Sequence, residues 1–418
     1  MKSKMSLLII IIFILSSIVI YMNSRVIYVS NAGNDNYQGT VNKPLKTINK
    51  AIDKALPGTT IRIKSGMYNE AIHIHKKGLP FLPIKVKGSY ENTKIVGNIG
   101  DSDKIIDIFN SNFITISNLN LADLKAENEK QTPTGINVRG KSKFIKIKNN
   151  LIHHIETDYK KGNSHGIATY GKGISHIKIE NNKLYSLKLG NSEALVLNGN
   201  VKNFKIKNNK VFNNNNIGID IIGFEGIENN EKFDKVRNGL ISNNIVRNNT
   251  SKNNPSYGGE QSAAGIYIDG SEKIKVLNNK TISNDIGIEI ASEHQFKSAN
   301  NILVMKNIIK NNGYTGIAVG GYNKSMGGVE KLKLNNNKFY HNDRENLFGG
   351  EILLQYNIKG LIINKNSINP VKNGYIIIKD NNSGENIRIK QNKYNPYNAN
   401  KVVWDKKDGY FSKLNRNQ

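Results

Sequence analysis

No cysteine occurs in the 418 residues. This excludes a disulfide framework, a thiolate metal site, a cysteine nucleophile and a lipid-bearing cysteine near the N-terminus. Acidic residues are scarce too: 33 Asp and Glu stand against 60 Lys and Arg, a formal charge of +27. That excess has two readings. One is an anionic partner, such as nucleic acid, an anionic envelope polymer or a uronic-acid polysaccharide. The other is a compositional leaning toward Lys, Asn and Ile, of the kind an AT-rich genome produces. No aromatic-plus-basic recognition motif is present and the lysines are spread evenly along the chain, so a nucleic-acid partner is not expected.

The N-terminus carries Lys2 and Lys4 before an uncharged apolar run from Met5 to Met22. That is the layout of a secretory signal or signal-anchor. The run is at the short end of what spans a bilayer, and lysines ahead of it place the body outside the cytoplasm. A small-x-small cleavage pattern is not evident. The expectation is an exported protein, secreted or held at the cell surface by residues 5–22, and monomeric.

What the chain has in abundance is paired asparagine inside short alternating apolar runs. Asn149-Asn150 (FIKIKNNLI), Asn181-Asn182, Asn208-Asn209, Asn243-Asn244 and Asn278-Asn279 are followed by Lys306-Asn307, Asn335-Asn336, Lys365-Asn366 and Gln391-Asn392, at steps of 26 to 35 residues. A unit recurring at that spacing is one structural repeat stacked on the next. The period-2 alternation within it marks strands. The fold class expected is therefore all-β, a parallel β-helix of about ten coils with Ile, Val, Leu and Phe inward. The asparagines sit at bends, where Asn tolerates left-handed backbone angles and amides can bond their equivalents above and below.

Residues 25–110 read as an N-terminal cap and first coils. RVIYVS is a strand, and PLKTINKAIDKAL has apolar residues at helical spacing between Pro44 and the Pro57-Gly58 stop. A short amphipathic helix there would cover the end of the hydrophobic core. Residues 111–393 form the helix proper. Residues 394–418 lose the period, contain the single Trp, and read as a C-terminal cap. The segments YVSNAGNDNYQGT and KPLKTINKAIDKALPGTTIRIKSGMYNE resemble the opening of secreted right-handed parallel β-helix proteins of the pectate-lyase-like superfamily. With the coils, the resemblance covers nearly all the chain after residue 24. It implies the fold firmly and the activity loosely, since that fold hosts lyases, hydrolases, epimerases and tailspikes.

A second repeated strand aligns on Gly166, Ala194, Gly218, Gly265, Gly287 and Gly316. The second residue after each points outward: Ala168, Val196, Asp220, Tyr267, Glu289 and Ala318. Two further on come Tyr170, Asn198, Ile222, Asp269, Ala291 and Gly320. Asp220, Tyr267 and Glu289 should therefore stack on one outer face, Asp220 and Glu289 two coils or about 9–10 Å apart, with Asp269 beside Tyr267. Glu193 and His165 each lie one residue before the aligned position. Long loops after Asp220 (GFEGIENNEKFDKVRN), Glu289 (ASEHQFKSANN) and Ala318 (GGYNKSMGG) would wall the face. Crowded carboxylates require a shared cation or raised pKa values, so Ca²⁺ is a candidate partner. A solvated sheet with ordinary polar residues is the plainer reading; His165 and His294 taken singly are most simply structural.

The stretch GNSEALVLNG…NNNNIGIDIIG is similar to family 9 polysaccharide lyases, in which an acid of one coil and an N-D-D-G-x-D-like segment of the next bind Ca²⁺. The resemblance implies Glu193 and Asp220 as metal ligands, although Asn216 and Ile217 replace the paired acids. Those enzymes use a lysine base; Lys273 and Tyr267 are the candidates here, and His165, Asp220, Asp269 and Glu289 could take acid or base roles. The N-x-D, D-D and G-H-G motifs of polygalacturonase-type hydrolases are missing, and IGID shares only Gly-x-Asp with mannuronan epimerases. The expected function is a lyase acting on a uronate-containing polysaccharide by β-elimination. The alternatives are a C5-epimerase or a non-catalytic glycan-binding surface protein, for which Tyr170, Tyr267 and Tyr322 are the exposed-face aromatics.

Overall fold

The computed structural model describes residues 25–379, 384–395, 399–405 and 411–412. The apolar run at residues 5–22 lies outside them, and among the described residues no helix is long and apolar enough to cross a membrane.

Each repeat of alternating apolar residues makes strands that pair in parallel with the coils before and after. One coil shows the pattern. Ala264–Asp269 lies on a first face, Glu272–Leu277 on a second and Lys280–Ile282 on a third. The first two faces merge into one 26-stranded sheet because His165–Ser175 and Leu195–Lys207 run continuously round the corner; the third is a 12-stranded sheet. The solenoid thus has about twelve turns, slightly more than the paired asparagines count, because the early coils lack the pair. Columns of Ile, Val and Leu from all three faces form one continuous core.

The asparagine pair divides its labour. Its first member takes left-handed backbone angles, as at Asn149 (φ 56°), Asn208 (57°) and Asn243 (56°), and Lys306, Lys365 and Gln391 do the same. Its second member is buried. The Asn209 amide nitrogen donates to Asn244 Oδ1 (3.0 Å) and to the Ile179 carbonyl (2.9 Å), while its Oδ1 accepts from both the backbone and side chain of Asn182. This ladder runs from Asn150 through Asn182, Asn209, Asn244, Asn279, Asn307, Asn337 and Asn366 to Asn392. The pair in its seventh coil is therefore Asn336-Asn337, with Asn336 at φ 53°, one residue later than the Asn335-Asn336 read from the sequence. A second ladder at the next corner, Asn214, Asn249, Asn284, Asn312 and Asn342, ends on the Glu351 carboxylate.

Ahead of the coils, the helix spans Ile48–Lys54, shorter than the apolar spacing suggests, with Thr47 as its N-cap. Its first backbone N–H groups, those of Ile48 and Asn49, are satisfied from outside by Glu70, and Asp35 accepts from Lys46 and Thr47 just ahead of the helix. Ile48, Ala51 and Ile52 are buried over the first coil, whereas Leu56 is exposed beyond the helix end. At the other end Ala399–Asp405 adds a further parallel strand to Gly374–Lys379, and Phe411–Ser412 folds back on it antiparallel. The remainder of 394–418 is outside the described residues.

Candidate functional site

The aligned glycines let the coils approach closely along the first face. A Cβ on Gly287 would meet the Gly316 carbonyl at 2.4 Å, and one on Gly218 the Gly265 carbonyl at 2.7 Å. This stacking places the expected columns in register: Ala168 with Val196, Val196 with Asp220, Asp220 with Tyr267, and Tyr267 with Glu289. Asp269 lies beside Tyr267, opposite Ile222 and Ala291. Glu193 and His165 also meet, with His165 Nδ1 3.6 Å from Glu193 Oε2 and 3.2 Å from its carbonyl oxygen. Four carboxyl groups from four successive coils therefore share one strip.

The strip is not an open sheet. Glu193, Asp220, Asp269, His165 and Tyr267 are buried and Glu289 is partly exposed. Residues 251–262 wall one side, where Tyr257 takes a hydrogen bond from the Asn216 side chain (3.0 Å). The loops after Asp220 and Glu289 wall the other. They carry two acids that the alternation pattern could not reveal, Glu225 and Glu293. The Glu293 backbone N–H donates to Asp269 Oδ1 (2.9 Å), and Glu225 pairs with His294 (3.0 Å). Their presence in two of the long loops that follow this strand was the one signal available.

Among the described residues no lysine or arginine pairs with Glu193, Asp220, Asp269 or Glu289. The electrostatics follow. Loss of water, then Glu293, pushes Glu193 up to about 8, and burial with Glu293 pushes Glu289 to about 8. Asp220 is raised well above the carboxylate range by burial and then by Glu193 and Asp269; Asp269 is raised by burial and then by Glu293. Burial also raises the Tyr267 and Tyr170 phenols and lowers His165 to about 4. The His165–Glu193 contact at neutral pH is thus one between neutral groups, despite its length being that of an ion pair.

Lys273 does not belong to this strip. After Asp269, the turn at Gly270 and Ser271 carries the chain to the second face, where Lys273 is exposed, left-handed (φ 57°) and 2.9 Å from Glu272. His294 sits at the cleft's outer wall, and Tyr322 is exposed in the loop after Ala318.

Several buried oxygens in the cleft have no hydrogen-bond partner: Glu193 Oε2, Asp220 Oδ1, Asn198 Oδ1 and Asn216 Oδ1. An all-oxygen donor set of this kind fits a hard divalent cation such as Ca²⁺. Two carboxylates and two amides supply it. A tighter grouping exists elsewhere: among the described residues, Asp123, His153 and His154 on the third face have ligand atoms within 4.8 Å of one another, with Asp123 held by Lys94 at 2.6 Å.

A parallel β-solenoid with a loop-walled acidic strip on one face is a β-helix protein of the pectate-lyase-like fold, and it resembles in fold the polysaccharide-active enzymes built that way, a uronan epimerase and glycoside hydrolases among them. Residues 31–75 match a family described as "Protein of unknown function (DUF1565)". The chain belongs to the family of the uncharacterized protein YwoF of Bacillus subtilis (strain 168), to which it is 42% identical over 385 residues, covering 90% of this chain and 82% of that protein. It is also 36% identical over 72 residues to pectate lyase PEL9 of Emericella nidulans, 17% of each chain. Among solved structures, the GH136 lacto-N-biosidase from Eubacterium ramulus superposes with a TM-score of 0.61 at 14% identity, over 88% of this chain and 67% of that one. At that identity the likeness is one of fold.

Proposed function

We propose that the protein is exported through its N-terminal apolar run and cleaves a uronate-containing polysaccharide by β-elimination in the acidic cleft. The observation that carries this reading is the strip of four carboxyl groups, Glu193, Asp220, Asp269 and Glu289, gathered without a cationic partner under loops. The local identity to pectate lyase PEL9 around one segment supports it.

Glu193 and Asp220, with the amide oxygens of Asn198 and Asn216, would hold Ca²⁺. The chemistry supplied at that site would be neutralisation of the substrate carboxylate, which would acidify the C5 proton. The chain's own residues do the rest. Glu289, at about 8, has an ionised fraction at mildly alkaline pH that can take the C5 proton. The Tyr267 phenol stays protonated throughout that range and can give a proton to the departing O4, leaving the 4,5-unsaturated uronate. His165, neutral above about 4, orients Glu193 through their contact. Incubation with pectate, alginate and glycosaminoglycans, with Ca²⁺ or chelator, should produce the ultraviolet absorbance of an unsaturated uronate on one of them. Binding without any such product, on every uronate tried, would remove the lyase reading.

The number of protonated groups facing the cleft favours one second reading, C5-epimerisation, in which Tyr267 or Asp269 returns a proton to the opposite face of the same carbon. In D₂O this would place deuterium at C5 with no unsaturated product.

A further inference from the structure

The second face of the solenoid holds a long groove of about 1170 Å³, separated from the acidic cleft by the wall loops. Its floor is one in-register column, each residue paired with the next: Lys178, Lys205, Leu240, Lys275, Leu303 and Lys333. The four lysines are exposed, and among the described residues none is ion-paired. Leu240 and Leu303 are partly exposed between them. No residue lining the groove is acidic. At the end nearest the N-terminus the groove is lined by His176, which stacks on Phe144 (centroids 4.4 Å), itself stacked on Phe113 (4.5 Å).

Charge is therefore segregated between the cleft strip and the floor of this groove. Carboxyl groups cluster in the cleft, and an unpaired lysine row occupies the neighbouring face. Five strand steps of about 4.8 Å give the row a length of roughly 24 Å along the solenoid axis. From Lys205 onward, lysine and leucine alternate, so a cation recurs every second step, about 9.6 Å. One step is close to the length of an extended pyranose unit. A polymer lying along the axis would set carboxylates against Lys205, Lys275 and Lys333, and the apolar faces of intervening rings on Leu240 and Leu303. The groove lacks the planar arginine forks that suit phosphate, and the phenylalanine lining it, Phe204, is buried and unavailable to nucleobases.

We propose that this groove is a second, non-catalytic binding site for a linear uronate polysaccharide, which holds the polymer along the solenoid beside the cleft. The site shares the polymer class of the cleft reading but none of its residues, so either can fail alone.

Polygalacturonate serves as the probe in affinity electrophoresis with the whole protein. Retardation should occur without Ca²⁺, weaken steeply as salt rises, and persist in Asp220→Asn. A fourfold Lys→Gln variant at 178, 205, 275 and 333 should bind about tenfold more weakly, as expected for four exposed charge contacts of a few tenths of a kcal/mol each. The corresponding Lys→Arg variant should restore binding; circular dichroism would confirm that both are folded. Equal retardation by fully methyl-esterified pectin, preference for poly(glycerol phosphate) or single-stranded DNA, or unchanged binding in the Lys→Gln variant would each overturn the proposal. Loss of elimination with groove binding intact would count against the cleft alone.

Discussion

At the scale of single residues, the two members of each asparagine pair do different work, and the difference is testable. Asn209→Ala removes the acceptor of the Asn182 backbone and side-chain N–H groups inside a buried column. Orphaned buried donors make this cost on the order of 3 kcal/mol. Asn208→Ala loses only the tolerance for a left-handed backbone, about 1–2 kcal/mol, and Asn208→Gly should be close to neutral. Urea unfolding of the three variants separates the two roles; equal losses at both positions would contradict it. The pair was legible in the sequence because a periodic ladder repeats its residue type. Which member is buried was not, since both are Asn in most coils, and in NNN of the seventh coil the sequence offers two registers.

At the scale of elements, the cleft strand exists because glycine recurs at one position. Gly287→Ala would put a Cβ 2.4 Å from the Gly316 carbonyl and 2.7 Å from the side chains of Asn312 and Ile309. Relief requires a shift either of the strand that carries Gly287 and Glu289 or of the Gly316 strand in the next coil. A loss of about 1–3 kcal/mol is expected, read by thermal unfolding. Ala194, where one coil carries a Cβ at the aligned position, shows that a coil built around the larger residue accommodates it. The wall loops obey no such periodic rule. Glu225 and Glu293 enter the site from loops whose lengths differ from coil to coil, so no alignment of repeats could bring them forward, and Lys273 left it because a two-residue turn follows Asp269.

At the scale of the whole molecule, the buried acids tie stability to pH. Glu193 and Glu289 rise from 4.5 in the unfolded chain to about 8 in the folded one. Between those values the folded protein holds more protons than the unfolded chain, so the stabilisation present below 4.5 is lost as pH rises through 8. With chelator, the melting temperature should therefore fall from pH 5 to pH 8.5, and Ca²⁺ should restore more of it at the higher pH, where the ion replaces protons. Asp220→Asn should flatten both dependences. A melting temperature that rises with pH in chelator would contradict the cleft's electrostatics.

The sequence by itself determined the β-solenoid and the column that unites Asp220, Tyr267 and Glu289. In an in-register parallel stack, position within a repeat is position on a face, so periodicity converts directly into neighbourhood. Only the tertiary structure decided what those neighbourhoods are like. It buried Glu193, Asp220 and Asp269 under loops and left Glu193 Oε2 and Asp220 Oδ1 without hydrogen-bond partners. It also showed that lysines scattered evenly along the chain line up, unpaired, on an adjoining face. Burial and charge segregation arise from loops and from faces meeting at corners, contacts between residues far apart in the chain that no repeat encodes.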